Sequence, residues 1–291
     1  MTAYDDALAL LTGRPLVVLT GAGLSTDSGI PDYRGPGSVN RAPMTYGEFV
    51  AAGEAGVRNR RRYWARSHLG WTRMGTALPN AGHRALARID PELLITQNVD
   101  GLHEAAGSRR VVALHGHVSE VICLGCRTIT DRALVQEWLE ALNPGWAERH
   151  RWIASLPDGD VALEETDDFV VPPCPRCDGD LKPHVVFFGE SADRGDVAEC
   201  FAAVDALALP QREGALLVAG SSLTVMSGLR FVRRAAKAGV PVVIVNRGAT
   251  RGDELATRIV DTGTSEFLGD LAEARATTRG SVALTHPDVV A

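Results

Sequence analysis

An apolar run followed by a glycine-rich turn lies near the start of the chain, where residues 16–35 read LVVLTGAGLSTDSGIPDYRG. A buried strand followed by such a turn brings backbone N–H groups close to the pyrophosphate of a dinucleotide. Gly21 and Gly23 permit this approach because they lack a Cβ atom. The spacing departs from the G-x-G-x-x-G pattern of hydride-transfer enzymes. Asp32 and Arg34, so soon after the turn, instead suit an enzyme that breaks the bond between nicotinamide and ribose.

Four of the five cysteines form two C-x-x-C pairs, Cys123 with Cys126 and Cys174 with Cys177. Each C-x-x-C turn places two thiolates on one face, and two such turns complete a tetrahedral four-sulfur shell for zinc. Because four protein ligands leave no open position, the predicted metal is structural. Two redox-active or simply buried thiol pairs are the alternative. Cys200 is expected to be a buried helix residue.

Other polar residues directly follow apolar runs. His115 ends one such run, at the strand end where active sites lie in open α/β sheets, although a histidine in that place is more often structural. Gln97, Asn98 and Asp100 follow another run. They indicate either a turn with side-chain hydrogen bonds or a pocket that binds ribose and an amide. His117 is interpreted as structural.

Apolar runs bounded by Gly, Pro or Asn alternate with helical patterns, which predicts βαβ units and a mostly parallel, Rossmann-like α/β sheet. Two segments interrupt this order, an arginine-rich helical insertion at about 36–79 and a zinc-binding module at 119–181. The dinucleotide-binding domain would then comprise residues 1–118 and 182–291. The predicted strands are 16–19, 93–95, 111–114, 185–188, 215–219 and 240–245, and two of the predicted helices are 133–142 and 228–238.

Composition argues against several classes of protein. The chain has 291 residues, of which 45% are hydrophobic and 23% charged, and its formal net charge is −6. Nucleic-acid phosphates require a basic face, which this charge does not favour. No apolar run is long enough to cross a bilayer, and the acidic start lacks the basic segment of a signal peptide. We therefore expect a cytoplasmic protein that binds neither nucleic acid nor membrane, with cysteines that hold metal.

Taken together, the motifs resemble the sirtuins, the NAD-dependent protein-lysine deacylases, and in particular their class II branch. The glycine-rich turn resembles the NAD-binding signature of that family, and the cysteine pairs resemble its zinc site. The other matching segments occur in the family's order, at residues 96–103 (TQNVDGLH), 114–116 (LHG), 182–190 (KPHVVFFGE), 220–223 (GSSL) and 245–248 (VNRG). The resemblance covers roughly residues 10–270, and residues 62–66 (RYWAR) and 142–144 (LNP) point to class II.

The resemblance implies a role for each motif. His115 would be the general base, the paired cysteines would hold one structural zinc, and two segments would clamp an acyl-lysine peptide by strand addition. The residues expected to contact this substrate are Val186, Phe187, Gly189, Glu190, Leu223 and Val225. The residues expected to bind NAD are Gly21, Ala22, Gly23, Thr26, Asp27, Ile30, Pro31, Asp32, Tyr33, Arg34, Gln97, Asn98, Val99, Asp100, Gly220, Ser221, Ser222, Asn246, Arg247, Gly248 and Thr264.

The implied reaction removes acyl groups from protein lysines. The acyl oxygen attacks the ribose carbon as nicotinamide leaves, and His115 then activates a ribose hydroxyl for the second attack. The products would be free lysine, nicotinamide and O-acyl-ADP-ribose, so that NAD is a cosubstrate and acylated proteins are the partners. Mono-ADP-ribosyl transfer to protein is the nearest alternative. More distant ones are an NAD(P)H oxidoreductase with a zinc ribbon and a non-enzymatic zinc-module adaptor.

One pair of residues bears on the choice of acyl chain. Tyr63 and Arg66 share a helix face, and class III sirtuins use a Tyr-x-x-Arg pair to bind the carboxylate of succinyl-lysine. Here the pair lies farther upstream of residues 79–83 (PNAGH) than in those enzymes, and neighbouring arginines favour a solvated basic face. We therefore expect that Arg66 does not bind an acyl carboxylate.

Overall fold

The structure is a computed structural model that describes residues 2–30, 32, 43–74, 76–150, 163 and 165–284. Its strands are β1 Leu16–Thr20, β2 Leu93–Thr96, β3 Val111–Ala113, β4 Gly116–Cys123, β5 Ile129–Asp131, β6 Leu181–Val185, β7 Ala215–Ala219, β8 Val242–Val245 and β9 Arg258–Val260. Its α-helices are α1 Ala3–Thr12, α2 Tyr46–Phe49, α3 Gly53–Met74, α4 Ala81–Ile89, α5 Leu102–Ala105, α6 Arg132–Leu142, α7 Trp146–Arg149, α8 Arg194–Leu207, α9 Met226–Lys237 and α10 Thr264–Leu284.

The main sheet is parallel throughout and has the strand order β3-β2-β1-β7-β8-β9, which confirms the predicted Rossmann-like α/β fold. Side chains alternate along β1, so that Leu16 and Val18 enter one core with α1, α4 and α10. Val17 and Leu19 enter the other core, which contains Cys200 of α8 and residues of α9. Both faces of the sheet are therefore covered, as a parallel sheet requires.

The strand order creates a crevice at the centre of this sheet. From β1 the chain proceeds outward through β2 and β3 on one side, and through β7, β8 and β9 on the other. The loops that leave the carboxyl ends of neighbouring strands diverge where the order reverses, between β1 and β7. Dinucleotides bind at such a position, and the loops after β1, β2, β3 and β7 carry most of the polar motifs.

A second, three-stranded sheet carries the first cysteine pair. Strand β4 pairs antiparallel with both β5 and β6, and its register with β6 shifts between Gly116 and Val121. Cys123 ends β4. The core of this sheet also contains Trp64 of α3, whose indole N–H donates to Leu181 O at 3.0 Å. Helix α3 therefore packs on the cysteine-bearing module, and the domain bounds given above stay a prediction.

Several predicted element bounds differ from the structure. The strand predicted at 185–188 is wrong by several residues, because β6 spans Leu181–Val185 and Glu190 N closes a turn onto Phe187 O at 2.9 Å. The apolar residues 185–188 (VVFF) match the pattern of a buried strand. The actual strand contains Lys182, whose burial cannot be recognised from the sequence. Helices α6 and α9 confirm the predicted helices to within two residues. The described part of residues 36–79 forms α2, α3 and no strand.

Within the described residues, no helix is both long and apolar enough to cross a membrane.

Candidate active site

The turn after β1 packs tightly against the turn after β7. Gly21 precedes a 3-10 helix at Ala22–Ser28, and Gly23 N donates to Gly220 O at 2.9 Å. A Cβ atom on Gly21 would lie 2.8 Å from Gly220 O, and one on Gly23 would lie 2.9 Å from the same atom. Glycine is therefore required here for the contact between two loops of the protein, whether or not a pyrophosphate also approaches the turn.

Three polar side chains from two loops meet beside this turn. Ser25 Oγ donates to Asp100 Oδ2 at 2.7 Å, and Asn98 Nδ2 donates to Ser25 Oγ at 3.0 Å and to Gly21 O at 3.1 Å. Asp100 Oδ1 also accepts from Leu102 N at 3.0 Å, at the start of α5. The structure thus brings the predicted Asn98 and Asp100 together and adds Ser25, which was not among the predicted contacts. The side-chain donors of this group are used within it, so Asn98 Oδ1 and the remaining lone pairs of Asp100 are what it offers, as acceptors for the N–H groups of a carboxamide.

Two other residues that were predicted to contact NAD, Thr26 and Asp27, form side-chain hydrogen bonds within the protein. Thr26 Oγ1 donates to Gly23 O at 3.0 Å, and Asp27 Oδ2 accepts from Ser265 Oγ of α10 at 2.6 Å. Both side chains stabilise the turn and its contact with α10, and their contact with NAD stays a prediction. Ile30, Asp32 and Val99 are half-buried, whereas the predicted Pro31, Tyr33 and Arg34 lie outside the described residues.

His115 lies between β3 and β4 and is held at both ring nitrogens. Its Nδ1 lies 2.8 Å from Gln97 O, and its Nε2 lies 2.8 Å from Ser227 Oγ. Burial lowers the pKa of His115, the Gln97 carbonyl acts in the opposite direction, and the charge of Arg230 lowers the pKa further. The imidazole is therefore neutral near pH 7, which is the form that accepts a proton. Neither Ser227 nor Arg230 was singled out in the sequence.

The loop after β7 joins this site through Gln97. Ser221 Oγ donates to Gln97 Oε1 at 2.6 Å and accepts from Leu223 N at 3.2 Å. Leu223 has a φ of 55°, in the left-handed region that a leucine rarely adopts. Ser222 Oγ lies 3.1 Å from Thr224 Oγ1, and Val225 occupies the N-cap position of α9 without a side-chain hydrogen bond to the helix. Ser221 thus helps to fix Gln97, and its contact with NAD stays a prediction.

The predicted NAD-binding segment after β8 forms a closed turn. Asn246 Nδ2 donates to Arg247 O at 2.9 Å and to Gly248 O at 3.0 Å. Gly248 N donates to Asp261 Oδ1 at 3.1 Å. Thr264 is buried at the start of α10. The amide hydrogens of Asn246 therefore stabilise its own turn, and its side-chain oxygen is the atom suited to accept from a ribose hydroxyl.

The segment after β6 lies directly beside the histidine. Val186 N donates to His115 O at 2.8 Å. Phe187 is 8% exposed and packs on the ring of Tyr63, with 5.2 Å between the ring centroids. Phe188 is 48% exposed. The predicted substrate contact Phe187 is thus part of a packed aromatic cluster, and the neighbouring Phe188 faces outward.

A buried ion pair shapes this segment. Lys182 is 2% exposed, and its Nζ lies 2.9 Å from Glu190 Oε2 and 4.4 Å from the centroid of the Phe187 ring. The same carboxylate oxygen accepts from Phe187 N at 2.9 Å. Burial lowers the pKa of Lys182, and Glu190 opposes this. Glu190 was predicted as a substrate contact, but its carboxylate is directed into the protein, where it fixes the backbone of the turn at Gly189.

The four paired cysteines form the one cluster suited to a metal ion in the described part of the chain. The Sγ atoms of Cys123, Cys126, Cys174 and Cys177 all lie within 4.8 Å of one another, with Cys123 and Cys177 3.5 Å apart. A tetrahedral zinc with Zn–S bonds of about 2.3 Å requires sulfurs about 3.8 Å apart, whereas a disulfide requires about 2 Å. A Cβ atom on Gly179 would lie 3.1 Å from Cys123 Sγ, so glycine leaves room for the thiolates. The donor set fits one structural zinc, as predicted.

These features define a Rossmann-like protein with a half-buried histidine at the carboxyl end of the parallel sheet and a module whose four cysteines are arranged for zinc. Residues 21–227 match the model of the Sir2 family. The chain is 53% identical over 275 residues to an NAD-dependent protein deacetylase 1 of Mycobacterium avium, covering 92% of this chain and 94% of the relative. The corresponding protein of Streptomyces coelicolor is 53% identical over 251 residues, with coverages of 84% and 81%. The chain belongs to the Sir2 family, the sirtuins.

Solved structures agree with this family assignment. A Sir2 complex with a p53 peptide and NAD+ is 31% identical in sequence and has a TM-score of 0.69. The match covers 97% of this chain and 100% of that chain. A Sir2 bound to a propionylated peptide is 28% identical, with a TM-score of 0.67 and coverages of 97% and 100%. The predicted sirtuin fold, enzyme class and NAD dependence are therefore confirmed.

Proposed function

We propose that the protein is an NAD-dependent protein-lysine deacylase in which His115 is the general base. The observation that carries this proposal is the half-buried imidazole of His115, whose pKa is lowered by burial and whose Nδ1 lies 2.8 Å from Gln97 O, which leaves Nε2 to accept a proton. The relatives are named NAD-dependent protein deacetylases, and a related structure contains a p53 peptide with NAD+. Acyl-lysine proteins are the substrates that follow from this proposal.

Different groups of residues would perform the separate parts of this reaction. Asn98 and Asp100, together with Ser25, offer the amide-binding group that would hold the nicotinamide carboxamide of the NAD substrate. The segments around Val186 and Leu223 supply backbone for a peptide that binds by strand addition. The thiolates fold the module that carries β4 and β6, and a zinc bound by four protein ligands takes no part in the chemistry.

Two finer points belong to the same proposal. The segments at residues 62–66 and 142–144 support membership of the class II branch. Free thiolates arranged for zinc support a cytoplasmic location, because a reducing compartment preserves them. We propose no nucleic-acid or membrane partner, in keeping with the net charge of −6.

The proposal is tested by product analysis. Purified zinc-loaded protein is incubated with an acetyl-lysine peptide and NAD, and the products are identified by mass spectrometry. Deacylation gives free lysine, nicotinamide and O-acetyl-ADP-ribose. An ADP-ribosylated protein would instead support the alternative function, mono-ADP-ribosyl transfer to protein. Absence of nicotinamide release contradicts both.

The role of His115 is tested in the same assay. His115→Ala should lower turnover about 10²–10⁴-fold, the range for loss of a general base, while NAD still binds. His117→Ala is the matched control, because this half-exposed histidine lies two residues away and 4.0 Å from Glu104. Turnover near that of the wild type in His115→Ala would contradict the assignment.

A further inference from the structure

The proton-accepting nitrogen of His115 already has a hydrogen-bond partner within the protein. Gln97 O can only accept, so the Nδ1 atom 2.8 Å away carries the ring proton. In the neutral ring this leaves a lone pair on Nε2, and Ser227 Oγ, 2.8 Å away, donates to it. The proton-accepting atom of His115 is thus already occupied by a serine hydroxyl.

The position of Ser227 depends on the close approach of α9 to the loop after β2. Ser227 is the second residue of α9 and is 7% exposed. A Cβ atom on the next residue, Gly228, would lie 2.9 Å from the side chain of Gln97. Gln97 Nε2 lies 3.4 Å from Ser227 Oγ, and Gln97 Oε1 accepts from Ser221 Oγ at 2.6 Å.

These hydrogen bonds all run in one direction. The donors follow one another from Ser221 to Gln97, from Gln97 to Ser227, and from Ser227 to His115. A chain of this kind polarises each hydroxyl toward the base. Ser227 Oγ retains one lone pair, because its other lone pair receives the long bond from Gln97.

We propose that Ser227 is a catalytic residue that relays the proton of the ribose hydroxyl to His115. The step rests on the proposed function. Ser227 Oγ accepts the ribose proton as its own proton passes to Nε2, so that His115 becomes the imidazolium. The electron pair of the broken ribose O–H bond stays on the ribose oxygen, which makes the second attack. Ser227 is neutral before and after the step.

Relay through Ser227 fits the geometry better than displacement of Ser227. Nε2 has one lone pair, so a ribose hydroxyl that bonded to it directly would have to break the 2.8 Å hydrogen bond. The displaced hydroxyl would then be a buried donor that has lost the acceptor of its proton, which is costly. In the relay each of these hydrogen bonds is kept and only the protons move.

Two rates in the full zinc-loaded protein test the relay. Exchange of labelled nicotinamide into NAD, in the presence of acetyl-lysine peptide, reports the step before the base acts. Single-turnover formation of O-acetyl-ADP-ribose reports the step that needs the base. Ser227→Ala should leave exchange within about twofold of wild type and slow product formation about 10-fold or more, a smaller loss than removal of the base itself. Ser227→Thr retains a hydroxyl and should recover most of the rate.

Solvent isotope measurements test the wild-type protein without any substitution. Two protons move together in the relay, so the single-turnover rate should depend quadratically on the deuterium fraction in mixtures of H2O and D2O. In Ser227→Ala the same rate should depend linearly on the deuterium fraction. The relay is overturned by a linear dependence in the wild type. It is equally overturned if Ser227→Ala forms product as fast as wild type, or loses exchange and product formation to the same extent. Failure of the wild type to form O-acetyl-ADP-ribose would instead contradict the proposed function.

Discussion

Two buried histidines, His83 in α4 and His103 in α5, should make the folded protein sensitive to acid. Both are at most 1% exposed, and their ring centroids lie 4.9 Å apart. Asn80 N donates to His83 Nδ1 at 3.3 Å, so the neutral ring carries its proton on Nε2. Among the described residues, His83 Nε2 and His103 Nδ1 have no hydrogen-bond partner. The charges of Asp100 and Asp27 act to raise the pKa of His83, but burial lowers it by more.

The size of the effect follows from the two pKa values. Burial lowers the pKa of His83 to about 4, and burial together with the neighbouring His83 lowers that of His103 to about 3. The unfolded chain protonates near pH 6.5 and the folded one does not, so the free energy of unfolding falls as the pH falls below 6.5. At pH 5.0 each histidine should contribute a loss of about 2 kcal/mol, and the pair about 4 kcal/mol. Typical domains have only about 5–15 kcal/mol in total.

Urea unfolding at pH 7.5 and pH 5.0 measures this loss. His83→Gln and His103→Gln each replace a titrating ring by a neutral side chain, and each should reduce the loss between the two pH values by about 2 kcal/mol relative to wild type. The comparison is made at each pH between wild type and variant, because the zinc thiolates also bind protons in this range and their contribution then cancels.

Ile89→Val is the matched control, because Ile89 is buried in the same helix as His83 but does not titrate. It should lower the free energy of unfolding by about 0.5–1.5 kcal/mol at both pH values and keep the wild-type pH dependence. If the histidine variants lose as much stability as wild type between pH 7.5 and 5.0, these histidines do not cause the acid sensitivity.

Two further predictions concern the metal and the acyl chain. Elemental analysis of Cys174→Ser should show the loss of stoichiometric zinc. Both solubility and activity should fall, because structural zinc contributes folding free energy directly. Cys200→Ser is the control and should retain zinc, because Cys200 lies outside the cluster. Zinc retained in the first variant, or absent from wild type, would show the site to be wrong. Arg66→Ala should change the ratio of kcat/KM for succinyl- and acetyl-lysine peptides by less than tenfold, because Arg66 Nε donates to Leu163 O at 2.9 Å. A guanidinium that binds a buried carboxylate contributes about 1.5–3 kcal/mol, so a selective loss of more than tenfold on the succinyl peptide would contradict this.

The sequence sufficed where the chemistry depends on residue type and local spacing. The two C-x-x-C pairs predicted the cysteine cluster because a four-residue turn alone sets the position of two thiolates. The alternation of apolar runs and helical patterns predicted the parallel sheet, because both faces of each central strand must be apolar. His115 was identified through its place after a strand and its motif.

The sequence was insufficient where a contact joins distant parts of the chain. Ser227 lies 112 positions from His115, and nothing in its local pattern distinguishes it from any serine near the start of a helix. From the sequence alone, Lys182 is expected on the surface, whereas in the structure Glu190 and the Phe187 ring enclose it. The start of β6 was misplaced for the same reason, since the burial of that lysine depends on tertiary contacts.

The packing of α3 on the cysteine-bearing module limits how this protein can be recombined with its relatives. A chimera that exchanges residues 119–181 alone would import Trp146 and Phe169 but would leave behind Trp64, which belongs to the same core. The imported Leu181 carbonyl would also need an indole at that position to donate to it. The smallest interchangeable unit therefore includes α3 together with the module, although the two are separated along the chain by α4, β2, α5 and β3.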